Sequence, residues 1–378
     1  MARIEVRPIE FPRDINSFVG AWWPIYERDP GWVPPLWRDI RRFLDPQRNP
    51  YFESAAVRPF IAYRGGVAVG TIAATWDRLL QQTDPGIGLF GFFEFVDDRR
   101  VASALLDAAA NWLRDEHGAR TLRGPTSFTT NHQFGLRVDP FDGRPPCVAV
   151  PHNRSYYPAV YESLGLEAAR EWYAYWIEAG PVPEQMEKIE KMLLSGGRVQ
   201  IRPFNKRRFE EDAELFWQLY SDAWEPNWGH NLMSREEFLF QARQMKPILD
   251  PRLVLLAFVD DEFAAGSITL PDYNQVTIHM NGRLLPWGWT HLARRWRYIT
   301  RLRAMVGGVH RRFQHLPLGV PLYLRTWRAA LEMGVEGCEV SLILEDNDKM
   351  RGALHKLGGR IHMTHRMYEK SLVDESAP

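Results

Sequence analysis

VQIRPFNKRRFEEDAELFWQLYSDAWEPNW, residues 199–228, repeats a pattern already met at residues 4–32, IEVRPIEFPRDINSFVGAWWPIYERDPGW. Arg202-Pro203 falls on Arg7-Pro8, and both copies pass from a short strand through a helical pattern to an acid, Pro and Trp. Three further stations recur in the same order. FIAYRGGVAVGTIAATW (Phe60–Trp76) matches LLAFVDDEFAAGSITL (Leu255–Leu270), each an apolar strand, a tight turn and a second apolar strand. VASALLDAAANWLRDEHGARTLRGP (Val101–Pro125) matches LYLRTWRAALEMGVEGCEVSLI (Leu322–Ile343), a helix stopped by Gly and then a strand. YPAVYESLGLEAAREWYAYWIE (Tyr157–Glu178) matches KMRGALHKLGGRIHMTHRMYEK (Lys349–Lys370), a short helix ending in Leu-Gly before an aromatic-rich strand. Four stations in order mean internal duplication. Each half reads β, α, β-hairpin, β, α, β, α, β.

The 378-residue length agrees with two units. We divide the chain into an amino-terminal domain (1–180), a helical linker (181–197) closed by Gly196-Gly197, and a carboxy-terminal domain (198–378). Formal net charge is zero, which argues against a nucleic-acid partner. The 15 Trp favour a pocket for long apolar groups. Cys147 and Cys338 have no metal spacing and fit a reducing compartment. The amino-terminal stretch MARIEVRPIEFPRD lacks the apolar core of a signal peptide, and no apolar run is long enough to span a bilayer. The expected location is cytoplasmic, with peripheral contact at the inner membrane face left open.

One stretch breaks the charge balance. Tyr273 to Leu331 contains no Asp or Glu but holds Arg283, Arg294, Arg295, Arg297, Arg301, Arg303, Arg311, Arg312, Arg325 and Arg328. Within it Trp289, Leu292, Trp296, Ile299 and Leu302 follow helical spacing. Residues 284–304 therefore read as an amphipathic helix, either packed on the protein or lying in a membrane interface.

Arg123 to Val160 is the least regular region, with prolines and polar residues among aromatics. Such a loop inside a compact domain is commonly functional. Asn131, His132, His152, Asn153, Tyr156 and Tyr157 are candidates to converge on a pocket there, and Ser155 reads as the N-cap of the following helix. No HExxH, CxxC, Walker loop or GxSxG occurs, so no metal is expected. His362 and His365 are three apart on a predicted strand and make a poor metal pair.

The element order resembles the GNAT acyltransferase fold, and the duplication resembles a tandem GNAT. That implies an α/β (α+β) protein of two GNAT-like domains, each a mixed, mostly antiparallel sheet flanked by helices. The most specific segment joins RAMVGGVHRRF (303–313) to GVPLYLRTWRAALEMGVEGCEVSLILEDNDKMRGALHKLGGRI (319–361). It follows the family series of strand, acyl-CoA loop, helix, strand ending in Asn, helix and Leu-Gly. Gly319 takes the loop's first Gly position, whereas Leu316 and Pro321 depart from the family's basic and small residues. FFEFVDDRRVASALLDAAANWLRDEHGARTLRGPTSFTTNHQFGLRVDPFDGRPPCVAVPHNRSYYPAVYESLGL (92–166) is similar to a bacterial tandem-GNAT group that includes bacterial ceramide synthases. So is HMNGRLLPWGWTHLARRWRYITRLRAMVGGV (279–309).

The resemblance implies amide formation from acyl-CoA, or from an acyl-carrier protein, to a primary amine such as a long-chain base. It implies that Val309 N–H serves the oxyanion, that Gly319 and Val320 at the helix start meet the diphosphate, and that Asn347 borders the pantetheine arm. Arg311 and Arg312 are candidates for the charge that the loop motif lacks. Glu94 lies on the corresponding strand of the first half among Phe90, Phe92, Phe93 and Phe95, where burial would raise its pKa toward that of a base. His310 is a second candidate base, and His152 and Tyr157 are candidates for proton transfer. Asp97 and Asp98 stand where the first half would need a phosphate loop. Like charge there opposes a diphosphate, so the acyl-CoA site is expected in the second half. Two alternatives stay open: an acetyl or aminoacyl transferase with a small polar acceptor, and a degenerate GNAT that binds an acyl ligand without turnover.

Overall fold

A computed structural model describes residues 3–223, 228–229 and 231–373. The first two residues of the amino-terminal stretch, and Glu225 and Pro226 of the repeat, lie outside them. The strands are β1 (Ile4–Pro8), β2 (Ala55–Arg64), β3 (Val67–Asp77), β4 (Ile87–Phe95), β5 (Thr121–Gly124), β6 (Leu136–Asp139) and β7 (Glu167–Glu178) in the first half. The second half supplies β8 (Val199–Pro203), β9 (Val254–Val259), β10 (Glu262–Pro271), β11 (Arg301–Val309), β12 (Gly337–Leu344) and β13 (Arg360–Ser371). The duplicated hairpins form as read. Gly65-Gly66 and Asp260-Asp261 both take positive φ, as a two-residue turn between right-twisted strands requires.

The halves do not keep their sheets apart. Strand order is β1-β2-β3-β4-β5-β13-β7-β12-β11-β10-β9-β8, with β6 also on β13. The last strand of the second half thus sits beside β5 of the first, and β7 sits beside β12. β7 and β13 pair with each other antiparallel along most of their length, which makes the seam. Among the described strands only β4/β5 and β11/β12 are parallel, and each pairs over just a few residues before diverging.

Corresponding helices feed from these diverging strands. Arg99–His117 buries Val101, Ala102, Leu105, Leu106, Ala109 and Leu113 and ends at Gly118 in the left-handed region. Gly319–Met333 buries Leu322, Leu324, Ala329 and Ala330 and ends the same way at Gly334. The linker helix Glu184–Ser195 packs on Gly319–Met333, and its Glu190 meets Arg325 and Arg328.

Two local expectations fail. Residues 284–304 are not one helix. The chain makes a short helix, Gly288–Ala293, a 3-10 turn, Arg295–Arg297, and then enters β11 at Arg301. Leu302 is buried in that strand, because pairing with β10 and β12 outweighs the helical spacing of the apolar residues. Ser155 is not an N-cap either, since the helix Tyr157–Ser163 starts after Tyr156 without a side-chain cap.

Candidate active site

β4 carries a bulge. Thr71 opposes Glu94 and Ala73 opposes Gly91, so the strand holds an extra residue, and Phe92 takes φ 46°. A bulge re-aims the side chains that follow it. Glu94 turns into a cavity of about 530 Å³ between the two halves. Aromatic and aliphatic side chains form most of its wall, among them Trp22, Trp32, Phe43, Phe92, Phe134 and Met305. The irregular segment read from sequence wraps it, contributing Asn131, His132, His152, Asn153 and Tyr157.

Tyr26 and Tyr157 both donate to Oε2 of Glu94, at 2.6 and 2.8 Å. Glu94 Oε1 makes no hydrogen bond to the described residues. Although the side chain opens onto the cavity, protein encloses the carboxyl. Burial raises its pKa to about 7, against the lowering effect of the two tyrosine hydroxyls. A carboxyl poised there can accept a proton from a reacting amine near neutral pH.

His152 lies beside this group, its ring tilted over Tyr26. Its Nε2 is 3.1 Å from Asp29 Oδ2, while its buried Nδ1 has no partner among the described residues. Asp29 also accepts from Arg154 and from Gly31 N–H. Contacts with His152 and Arg154 hold the Asp29 carboxyl below its usual range despite burial. Gly31 is needed for this fit. A Cβ there would stand 2.9 Å from His152 Cε1 and 3.2 Å from Arg144 O. Gly31→Ala should displace the imidazole and lower kcat by up to about 100-fold. Steady-state kinetics beside a melting curve will read this, with little change expected in the melting temperature.

The other candidates have different surroundings. The Asn153 amide is spent on the Arg137 backbone. Asn131 bonds Tyr220 and the Asn231 carbonyl. His132 is packed by Phe43, Tyr51 and Phe128, and burial lowers its pKa to about 3, so it is neutral. Beside it Glu237 is raised by burial to about 8. Tyr156 is outside the cavity wall and donates to Phe95 O. Tyr157 OH accepts from Phe95 N–H at 2.9 Å, so in the first half the end of β4 is already engaged. The helix that follows is capped by Asp98, which also pairs with Arg64 and Arg100.

In the second half, among the described residues, no tyrosine hydroxyl bonds the matching strand end at the wedge left by β12, and only Gln314 Nε2 reaches it, at 3.4 Å from Val309 O. β11 bulges at Met305, between the pairs Ile268–Val306 and Thr269–Ala304, and leaves β12 after Ala304. His310 N–H donates to Ala264 O, so by strand alternation Val309 N–H points the other way, to the open side. Tyr323, on the second turn of Gly319–Met333, places its hydroxyl where a Cβ on Gly307 would be 2.6 Å away. That hydroxyl has no hydrogen-bond partner among the described residues. Gly319 has space above it, its nearest neighbour being the Tyr323 ring at 3.7 Å, and Val320 N–H bonds Pro317 O. Asn347 caps the helix Asp348–Lys356 through Met350 N–H. His310 is apart from the cavity and bonds Asp222. Arg311 is held by the same Asp222, and Arg312 by Glu262. Met305 lies on both the wedge and the cavity wall, roughly 13 Å along the strand from Val309.

Glu94, His152 and Tyr157 thus share one cavity, whereas His310 and the loop residues form a separate group. Sequence reading missed Tyr26, Asp29 and Tyr323, and counted Arg303 only among the arginines of the acid-free stretch. The first two lie in YERDPGW, at the repeated acid-Pro-Trp station, which was the available signal. Arg303 lies in the cavity wall and bonds Ser341 Oγ and Val148 O.

No family model matches the chain. A protein described as bacterial ceramide synthase from Caulobacter vibrioides is 32% identical over 98% of this chain and 98% of its own. The chain belongs to that family. Protein YghO of Escherichia coli is 28% identical over 97% of the chain and 95% of its own length. Two solved structures confirm the fold. A tandem GNAT protein from the clavulanic acid biosynthesis pathway has TM-score 0.59 at 14% identity, covering 99% of this chain and 100% of that one. A GCN5-related N-acetyltransferase from Sphaerobacter thermophilus has TM-score 0.53 at 12% identity, covering 100% and 99%. This member of the bacterial ceramide synthase family is accordingly an acyltransferase of GNAT fold. None of its described helices is long and apolar enough to cross a membrane.

Proposed function

We propose that the protein moves a long-chain acyl group from acyl-CoA to the primary amine of a long-chain, sphingoid-like base. The observation that carries this reading is the aromatic-walled cavity joining Glu94 of one half to β11 of the other. The carboxy-terminal half holds the donor. The diphosphate meets the start of Gly319–Met333 through Gly319 N–H and the helix dipole, whereas Val320 N–H, expected from sequence to join it, is held by Pro317 O and Pro321 has none. The pantetheine follows the free side of β11, and the thioester reaches the cavity near Met305. Glu94 takes a proton from the acceptor amine. The nitrogen attacks the thioester carbonyl, the C–S bond breaks, and the departing thiolate recovers one proton as CoA-SH. Val309 N–H, roughly 13 Å along the strand from Met305, meets the pantetheine and not the oxyanion, and Tyr323 is a candidate acid for the thiolate. The Caulobacter relative is described as a ceramide synthase, which supports the choice of acceptor.

A binding-only reading draws on one observation: Arg311 and Arg312 are already paired with Asp222 and Glu262. Incubation with palmitoyl-CoA and a long-chain amine separates the two. Release of free thiol together with an amide detected by mass spectrometry is expected. No thiol release with any amine would leave only binding. Product from acetyl-CoA and a small polar amine alone would instead favour the small-acceptor reading.

A further inference from the structure

The ten arginines of the acid-free stretch divide sharply. Arg301, Arg311, Arg312, Arg325 and Arg328 form ion pairs with acids from other elements. Arg303 is buried against Ser341 and a carbonyl. The remaining four, Arg283, Arg294, Arg295 and Arg297, have no acidic partner among the described residues. Arg294 ends the short helix Gly288–Ala293, Arg295 and Arg297 lie on the following 3-10 turn, and Arg283 precedes the 284–304 segment by one residue.

The same segment exposes large apolar side chains. Leu285 is 74% exposed, Trp287 73%, Trp289 52% and Trp296 46%. Isolated exposed apolar residues need no explanation, but four within twelve positions, interleaved with unpaired cations, form a patch. The patch is tied to the cavity. Gly282 O accepts from Trp37 N–H, Asn281 accepts from Trp23, and a Cβ on Gly282 would stand 2.8 Å from Pro35 O. Pro35 and Leu36 belong to the cavity wall.

We propose that residues 283–297 dock on a bilayer rich in anionic lipid, holding the cavity rim at the membrane surface. Indole rings and Leu seat at the boundary between headgroups and acyl chains, while guanidinium groups meet lipid phosphates. An acidic carrier protein would satisfy the arginines, but it would leave three tryptophans and a leucine in water, so the bilayer is the better match. Docking needs no substrate and is independent of the acyl-transfer reading.

The test is co-sedimentation of the full chain with phosphatidylcholine vesicles, with and without phosphatidylglycerol, at low and high salt. Binding to phosphatidylglycerol vesicles that weakens with salt is expected. Arg294→Gln and Arg297→Gln should each lower the partition coefficient roughly fivefold. Trp287→Ala with Trp289→Ala should lower it further, with an unchanged melting temperature because both side chains are exposed. No binding to either vesicle, or equal binding to both, overturns the proposal. So does capture of an acyl-carrier protein without vesicle binding. Loss of acyl transfer with vesicle binding intact would count against the proposed reaction and not against docking.

Discussion

Gly319→Asp should abolish acyl-CoA-dependent turnover and leave the fold intact. A carboxylate about 4 Å from a diphosphate costs roughly 4 kcal/mol at the effective dielectric of a protein surface, close to a thousandfold in affinity. The same substitution is harmless to the apo protein. A Cβ at 319 meets only the Tyr323 ring, at ordinary contact distance. An acid at a helix start is favoured by the dipole, so the melting temperature should stay level or rise slightly. Opposite signs for ligand binding and stability distinguish a binding role from a structural one. Asp98 already provides this arrangement in the first half, where its carboxylate caps the helix Arg99–His117. CoA titration by calorimetry beside a melting curve reads both quantities. Unchanged affinity in Gly319→Asp would show that the diphosphate binds elsewhere.

Glu94→Gln should lower kcat by about 100- to 10,000-fold, the range for loss of a general base. The wild-type kcat/KM should rise with pH through about 7 as Glu94 loses its proton. The variant should lack that limb. Stability carries a second signature. The folded pKa lies above the carboxyl's ordinary 4.5, so folding favours the protonated form. This contribution is fully present below pH 4.5 and is lost as pH rises through 7. Glu94→Gln has no proton to lose, so its stability relative to wild type should improve between pH 5 and 8. Denaturation at several pH values checks the sign. Equal pH dependence in both proteins would mean Glu94 is ionised and solvated.

What the sequence revealed follows from what is local. Hairpin turns at Gly65-Gly66 and Asp260-Asp261, glycine stops at Gly118 and Gly334, and the phenylalanines around Glu94 all act within a few residues, so their pattern could be read. The exchange of β7 and β13 could not. An apolar strand looks the same whichever neighbour it pairs with, and the partners here are more than a hundred residues away. The tryptophan-arginine segment misled because helical spacing continued past Tyr298 into β11, where sheet pairing decides the conformation. Tyr26 and Asp29 escaped notice because nothing local links them to Glu94 and His152. Only folding brings Tyr26 OH within 2.6 Å of Glu94, and Asp29 within 3.1 Å of His152. The acids that hold Arg311 and Arg312 also come from distant elements, so the loop looks more open in sequence than in structure.

The central claim is that one thioester donor spans the wedge beside β11 and the cavity that holds Glu94. A crystal structure with a non-hydrolysable palmitoyl-CoA thioether tests it directly. The account predicts the diphosphate at Gly319, the pantetheine along Val306–Val309, and the alkyl chain in the aromatic-walled cavity within reach of Glu94. A donor seated on the Asp98 helix, or an alkyl chain lying outside that cavity, would contradict it.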